Sequence, residues 1–235
     1  MAPPCALSCC YHGDMAKTPS RAQPHDEMTF RTAVEGRASV RRFRDDPVPR
    51  DDVREMVRLA TRAASAGNAQ MWRFVAVDDP QVRVAMRAAV DGVIDEMVAW
   101  PEVAAQAAEI EKVRPFATFF SDAPVVIAVV GLPYEARADR LLAARGLSRD
   151  ERDRLRQRPD LQSVGGAVQL LITVAHAMGY GACWMSAPVL AAERLEDLLG
   201  VKPPARLVAL VPLGRPRRTA RPGKRLPLDE VLRFV

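Results

Sequence analysis

Histidine and aromatic residues are scarce in this chain of 235 residues: there are three histidines, and Phe, Trp and Tyr together make up 6%. His12 and His25 precede the first patterned segment, and His176 sits inside an apolar helical stretch among small residues, where a structural role is expected. No acid–base pair stands out. Cysteine is equally sparse beyond the start, with Cys5, Cys9 and Cys10 at the front and Cys183 alone in a strand-like stretch. No Cys or His set repeats at zinc spacing, so neither a disulfide framework nor a zinc site is expected, and the usage points to a reducing, cytoplasmic compartment. Cys183 has no histidine partner and reads as a packed side chain rather than a nucleophile. No apolar run reaches the roughly 18–20 residues of a membrane span. Residues 1–28, "MAPPCALSCCYHGDMAKTPSRAQPHDEM", have no apolar core of the kind a signal peptide needs. They read as a disordered leader or as a start assigned too early, with Met15 and Met28 as alternative starts; "CALSCC" as a metal ligand set is the less favoured reading.

Hydrophobic residues make up 49% and charged residues 27% of the chain, the profile of a soluble globular protein of one domain. Basic residues number 34 against 29 acidic, a formal charge of +5. The excess is arginine, which suits two-pronged contact with phosphate and carboxylate. Surplus positive charge also fits nucleic-acid binding, and that reading stays open at this level.

Apolar positions in "DDVREMVRLATRAASAG" recur at helical spacing, with Asp51 or Asp52 as caps and Gly67 as the stop. "WRFVAV" follows as a strand. Asp79 and Pro80 open a second helix that Pro101 ends. Residues 102–114 read as a further helical piece, and "APVVIAVVGL" as a buried strand without polar alternation. Residues 134–160, dense in Arg, Asp and Leu, predict a surface insertion with one or two short helices. "SVGGAVQLLITVAHAMG" is a helix whose Gly165 and Gly166 lower its propensity; the expected return is close approach to another element, a subunit neighbour among the candidates. "YGACWMSA" reads as a strand running into a loop, "PVLAAERLEDLLG" as a helix closed by Gly200, and "ARLVALVPLG" as a strand. The basic tail ends in "LDEVLRFV". With no internal repeat and no linker, this order predicts one α+β domain with helices packed on a sheet.

The chemistry concentrates in two stretches. In "GRASVRRFRDDPVP", Arg37, Ser39 and Arg41 alternate, so in an extended chain they face one side while Val40 and Arg42 face the other. Two guanidinium groups flanking a hydroxyl make a phosphate seat; a solvated basic strand is the plainer alternative. In "AASAGNAQMWRF", Ser65, Gly67, Asn68 and Gln70 gather where a helix gives way to a strand. Amide side chains there suit the edge of a heterocycle, although a helix-ending turn alone accounts for Gly67.

Together, "RASVRRFRDDPVPRDDVREMVRLATRAASAGNAQMWRFVAV", "AHAMGYGACWMSAPVLAAERLEDLLGV" and "VPLGRPRRTARPGKRLPLDEVL" resemble the FMN-dependent nitroreductase family. The resemblance runs from about residue 35 to 235, with Ala64 and Met71 at positions where prolines are common and a variable insertion at about 100–160. It implies a nitroreductase-like domain over 29–235, with a mainly antiparallel central sheet flanked by helices, in an intertwined homodimer. It implies FMN as cofactor and NADPH or NADH as co-substrate, the flavin itself carrying the chemistry. Carried over by position, Arg37, Ala38, Ser39 and Arg41 are flavin ligands, the arginines serving the phosphate and the ring edge. Ala64, Ser65, Ala66 and Asn68 lie near the ring or ribityl chain, with the other subunit as a candidate source. Met185 and Ser186 meet the flavin face through backbone groups. Arg225 is a second phosphate ligand, with Lys224 a weaker candidate. The interface candidates are the Gly165–Gly166 helix and the tail from Leu226 to Val235.

The function so implied is reduction of FMN by NAD(P)H, followed by reduction of a nitroaromatic, quinone or similar small-molecule acceptor in a ping-pong cycle. Neither nucleic acid nor membrane is an expected partner, since the basic run "RPRRTARPGKR" lacks interleaved aromatics. The alternatives kept in view are a specialised relative (a dehydrogenase, a deazaflavin-linked enzyme, or one that uses oxygen in flavin chemistry) and a flavin-binding protein without turnover.

Overall fold

The computed structural model describes residues 28–235, so nearly all of the expected leader, with Cys5, Cys9, Cys10, His12 and His25, lies outside the described residues. Four strands form one sheet: β1 (Trp72–Val77), β2 (Val125–Gly131), β3 (Gly181–Ala182) and β4 (Arg206–Gly214). The order is β1-β2-β4-β3 and every pairing is antiparallel, as expected. The helices are α1 (Phe30–Gly36), α2 (Arg50–Ala60), α3 (Pro80–Val98), α4 (Ala107–Glu111), α5 (Arg114–Thr118), α6 (Arg137–Ala144), α7 (Arg149–Arg156), α8 (Pro159–Ala177), α9 (Ala192–Leu199) and α10 (Leu228–Val231).

The unbroken apolar run of β2 has a direct cause: both of its faces are covered. Val125, Ile127 and Val129 point into a core shared with Met56 and Ala60 of α2 and Leu171 and Ala175 of α8. Val126 and Ala128 point the other way, against Met86 and Ile94 of α3 and Leu195 of α9. Side chains alternate along a strand, so a strand between two helical layers needs apolar residues at every position. Burying each large aliphatic side chain contributes about 1.5–3 kcal/mol before chain entropy is counted. In β4 the alternation slips once. Val129 pairs with Ala209 and Val130 with Leu207, leaving Val208 as the extra residue of a bulge.

Helix starts follow the local chemistry. Asp79 accepts a hydrogen bond from the Gln81 N–H at 2.7 Å, with Pro80 as the first residue of α3. Ser148 and Glu151 cap α7 reciprocally: the Ser148 N–H donates to Glu151 Oε2 at 2.8 Å and the Glu151 N–H to Ser148 Oγ at 3.3 Å. α2 departs from expectation at both ends. It begins after Pro49 without a side-chain cap, leaving Asp51 and Asp52 in its first turn, where they favour the helix dipole. It stops at Ala60, not Gly67. Gly67, Asn68 and Gln70 take φ values of 58°, 53° and 46°, which a right-handed helix cannot contain.

Residues 100–160 are not one insertion. β2, the buried centre of the sheet, falls inside that range and divides it into a helical piece with α4 and α5 and a second with α6 and α7. The expected strand "YGACWMSA" contributes only Gly181–Ala182 to the ladder, followed by an isolated bridge from Met185 to Leu210. Gly165 provides the close approach anticipated for it, within the chain: a Cβ there would stand 3.3 Å from the Trp184 ring.

Candidate active site at the sheet edge

The segment after α1 extends the sheet beyond β3. The Val40 N–H donates to the Ala182 carbonyl at 3.0 Å, in a parallel bridge. Further on the segment runs antiparallel to the stretch after β4: the Arg44 N–H donates to the Arg215 carbonyl at 2.8 Å, and the Arg217 N–H to the Arg42 carbonyl at 3.0 Å. Val40 and Phe43 are buried against Ala123 and anchor the ribbon. Gly181 is what lets it lie so close, since a Cβ there would fall 2.6 Å from Val40 Cγ2. The alternation expected from the sequence holds from Val40 to Arg41 and fails at Arg42, which is exposed beside Arg41. The change of partner between residues 40 and 42 turns the strand, so the buried residues fall three apart.

The two paired segments enclose a cleft of about 340 Å³ lined by Ser39, Val40, Arg41, Arg42, Arg217, Arg218, Thr219 and Ala220. No carboxylate lines it. Among the described residues, none of Arg37, Arg41, Arg42, Arg217 and Arg218 forms an ion pair with one. Four guanidinium groups held together without counter-charge repel one another, and an anion relieves that repulsion. The donor set therefore fits a nucleotide phosphate.

A clip of three residues holds the ribbon's partner segment. Tyr180, buried, donates its hydroxyl to Asp52 Oδ2 of α2. Burial, then the Asp52 carboxylate, push the phenol up to about 12. The Arg215 guanidinium stacks over the Tyr180 ring at 4.0 Å and donates to the Gly179 carbonyl at 3.0 Å. Arg37 lies half-buried next to His176 of α8. Burial first, and then the Arg37 charge, hold the His176 imidazole below its usual range, which keeps it neutral. Its ring fills the space beside Gly36, where a Cβ would come within 2.9 Å of Nε2. Burial pushes the Cys183 thiol up, opposed by Arg41, Ser39 and Arg37. Both residues behave as packed groups, in line with the sequence reading.

The second motif forms a separate turn. The Ala66 N–H donates to Ser163 Oγ at 3.2 Å, and Ser65 Oγ accepts from the Gln70 N–H at 3.1 Å. Ala64, Asn68 and Gln70 are exposed. Ser163 lies near the start of α8 and His176 near its end, so the two motifs sit about 20 Å apart along that helix at about 1.5 Å per residue. Within one chain they do not converge.

Two other expected ligands are placed differently. Met185 is buried against the α3 and α9 layer, and both its N–H and its carbonyl are bonded to Leu210. It has no free backbone group to offer, because the bridge to β4 takes both; Ser186 beside it is exposed. Arg225 is exposed and folds back onto the Gly223 carbonyl at 3.0 Å, outside the residues that line the cleft. Conversely, Arg217, Arg218 and Thr219 line the cleft, although they fall in the basic tail, where no local pattern singles them out. Only their pairing with residues 42–44 reveals them.

The sequence model of the Nitroreductase family matches residues 34–215, and the chain belongs to that family. An NADH dehydrogenase of Thermus thermophilus is 34% identical over 204 residues, which cover 86% of this chain and 94% of that protein. A BluB-like flavoprotein from Clostridium difficile 630 superimposes with a TM-score of 0.81 at 25% identity, covering 88% of this chain and 99% of the other. The FMN- and NADPH-dependent nitroreductase NfnB from Sphigopyxis sp. strain HMH shares the fold, with a TM-score of 0.67 at 18% identity over 88% of this chain and 99% of its own. Among the described residues, no helix is long and apolar enough to cross a membrane.

Proposed function

We propose that residues 29–235 form an FMN-dependent oxidoreductase in which NADH or NADPH reduces the flavin and the reduced flavin then serves a nitroaromatic, quinone or similar acceptor. The observation that carries this reading is the carboxylate-free arginine cleft beside Ser39. Ser39 and Arg41 line it; with Arg37 of the same segment they would hold phosphate and ring edge, Ala38 and Ser186 would meet the cofactor, and Arg225 would be a further phosphate donor. Bound FMN supplies hydride acceptance and donation. The chain's residues bind and orient the cofactor, and no side-chain acid or base is required of them.

A second copy of the chain completes the site. Ala64, Ser65, Ala66 and Asn68 sit about 20 Å along α8 from Arg37, so they reach a flavin held by the partner's arginines rather than their own. The tail supports the same conclusion. Every residue from Arg221 to Val235 is exposed, including Leu226, Leu228, Val231, Leu232 and Phe234. An apolar arm of this kind is an interaction surface, and a homodimer covers it.

The test is an absorbance spectrum of purified protein, followed by addition of NADPH or NADH without oxygen. Yellow protein that bleaches supports the reading. Yellow protein that does not bleach replaces it with a storage role or a specialised relative using another donor. Colourless protein that fails to take up FMN ends it.

A further inference from the structure

The flavin motif does not absorb all of the cleft's charge. A phosphate monoester carries about −1.5 to −2 near neutral pH, and Arg37, Ser39 and Arg41 already offer two guanidinium groups and a hydroxyl for it. Arg42, Arg217 and Arg218 remain, with the Thr219 hydroxyl beside them. They belong to two segments tied together by the Arg217 to Arg42 backbone bond, so their clustering is built into the fold rather than left to flexible side chains. Arg215, fixed over Tyr180, holds the start of the second segment. Elsewhere this chain offers carboxylates to its clustered arginines: Arg114 has Asp91, Asp95 and Glu111 within 3.0 Å.

We propose that Arg42, Arg217 and Arg218 form a second phosphate seat, next to that of the flavin, which takes the 2′-phosphate of the reduced nicotinamide dinucleotide and makes the protein prefer NADPH to NADH. The inference rests on the flavoenzyme reading above for its substrate, but not for its chemistry. An exposed seat with three guanidinium groups discriminates by charge: NADPH carries the extra phosphomonoester and NADH does not. Arginine suits it because its planar fork meets phosphate oxygens in pairs.

Two measurements test this. In the first, the thermal midpoint of flavin-free protein is followed with adenosine 2′-phosphate, adenosine 5′-phosphate and adenosine. The 2′-phosphate raises the midpoint, adenosine does not, and R217A/R218A removes the shift. In the second, KM is measured for NADPH and NADH in the flavin-loaded enzyme. R217A/R218A raises KM for NADPH about 10- to 100-fold, leaves KM for NADH within about twofold, and weakens FMN binding by a much smaller factor than R41A does. A loss of FMN affinity as large as that of R41A would overturn the proposal and assign the cluster to the flavin phosphate. Equal changes in both KM values, or an adenosine 2′-phosphate effect no larger than that of adenosine, would overturn it as well. A wild-type protein without flavin activity that still binds the 2′-phosphate would refute the enzyme reading while the seat itself stands.

Discussion

Two regions of this molecule are rich in arginine, and they use it in opposite ways. Around α6 and α7, Arg140, Arg149, Arg152, Arg156 and Arg158 each have a carboxylate between 2.8 and 3.9 Å away. Along the ribbon of residues 37–42 and 217–218 no arginine pairs with a carboxylate among the described residues. In the first region a carboxylate stands beside each of these five arginines, and one of those carboxylates, Asp139, is buried. In the second, backbone pairing brings positive charge together and withholds its partners. Arginine content alone does not mark a site; arginine gathered by the fold without carboxylate does.

The largest break in this comparison comes from the ribbon. R41A lowers FMN affinity about 10- to 100-fold, the loss of about 1.5–3 kcal/mol in a charge-assisted bond, and R37A/R41A lowers it further. Both are read by fluorescence titration of flavin-free protein. R152A in the other region leaves that affinity unchanged, and an equal loss there would erase the distinction.

Gly181→Ala tests whether the ribbon needs its close seat. The new methyl would stand 2.6 Å from Val40 Cγ2, well inside van der Waals contact distance, so the ribbon must shift, and overpacking of this kind costs about 1–3 kcal/mol. Chemical denaturation should show that loss, together with weaker FMN binding because Ser39 and Arg41 move with Val40. Wild-type stability would mean that the ribbon is free to shift.

Y180F removes the bond to Asp52 at a cost of about 1.5 kcal/mol, toward the lower end because Asp52 is only half-buried. The pH dependence gives a sharper readout. The folded phenol titrates at about 12, above its unfolded value of about 10. The unfolded state therefore loses its proton first, and stability falls as pH rises from about 10 through 12. The clip's contribution is complete below pH 10. Denaturation midpoints between pH 9 and 12 should fall more steeply in wild type than in Y180F; parallel curves would remove the clip.

The smallest effect belongs to the paired region. R140A should change stability by no more than about 0.5 kcal/mol, since its partner Glu135 stands 3.8 Å away on an exposed surface. A larger loss in urea denaturation would mean that the ion pairs of α6 and α7 are structural.

Much of this was legible in the chain itself. The continuous apolar run of β2, the Asp79–Pro80 start of α3 and the two short helices after residue 134 follow from local chemistry: burial on two faces, a capping oxygen, a missing N–H. Arg37, Ser39 and Arg41 are identifiable because alternation is a local property. Arg217, Arg218 and Thr219 are not, because their role depends on lying across from residues 42–44 after β4 has crossed the sheet. Nor can spacing show that Met185 has no free backbone group, that α2 ends at Ala60, or that Gly165 makes room for Trp184.

The sequence alone determined where the longer helices and the central strands lie and which family the motifs resemble, since periodicity, capping and motif order are written in neighbouring residues; it did not show α1, the end of α2 or the shortness of β3. The tertiary structure decided which arginines face one another without carboxylates, and that a single chain keeps its two motifs apart at the ends of α8. Charge clustering is a property of distance in space, and the chain's order does not encode that distance until the sheet has formed.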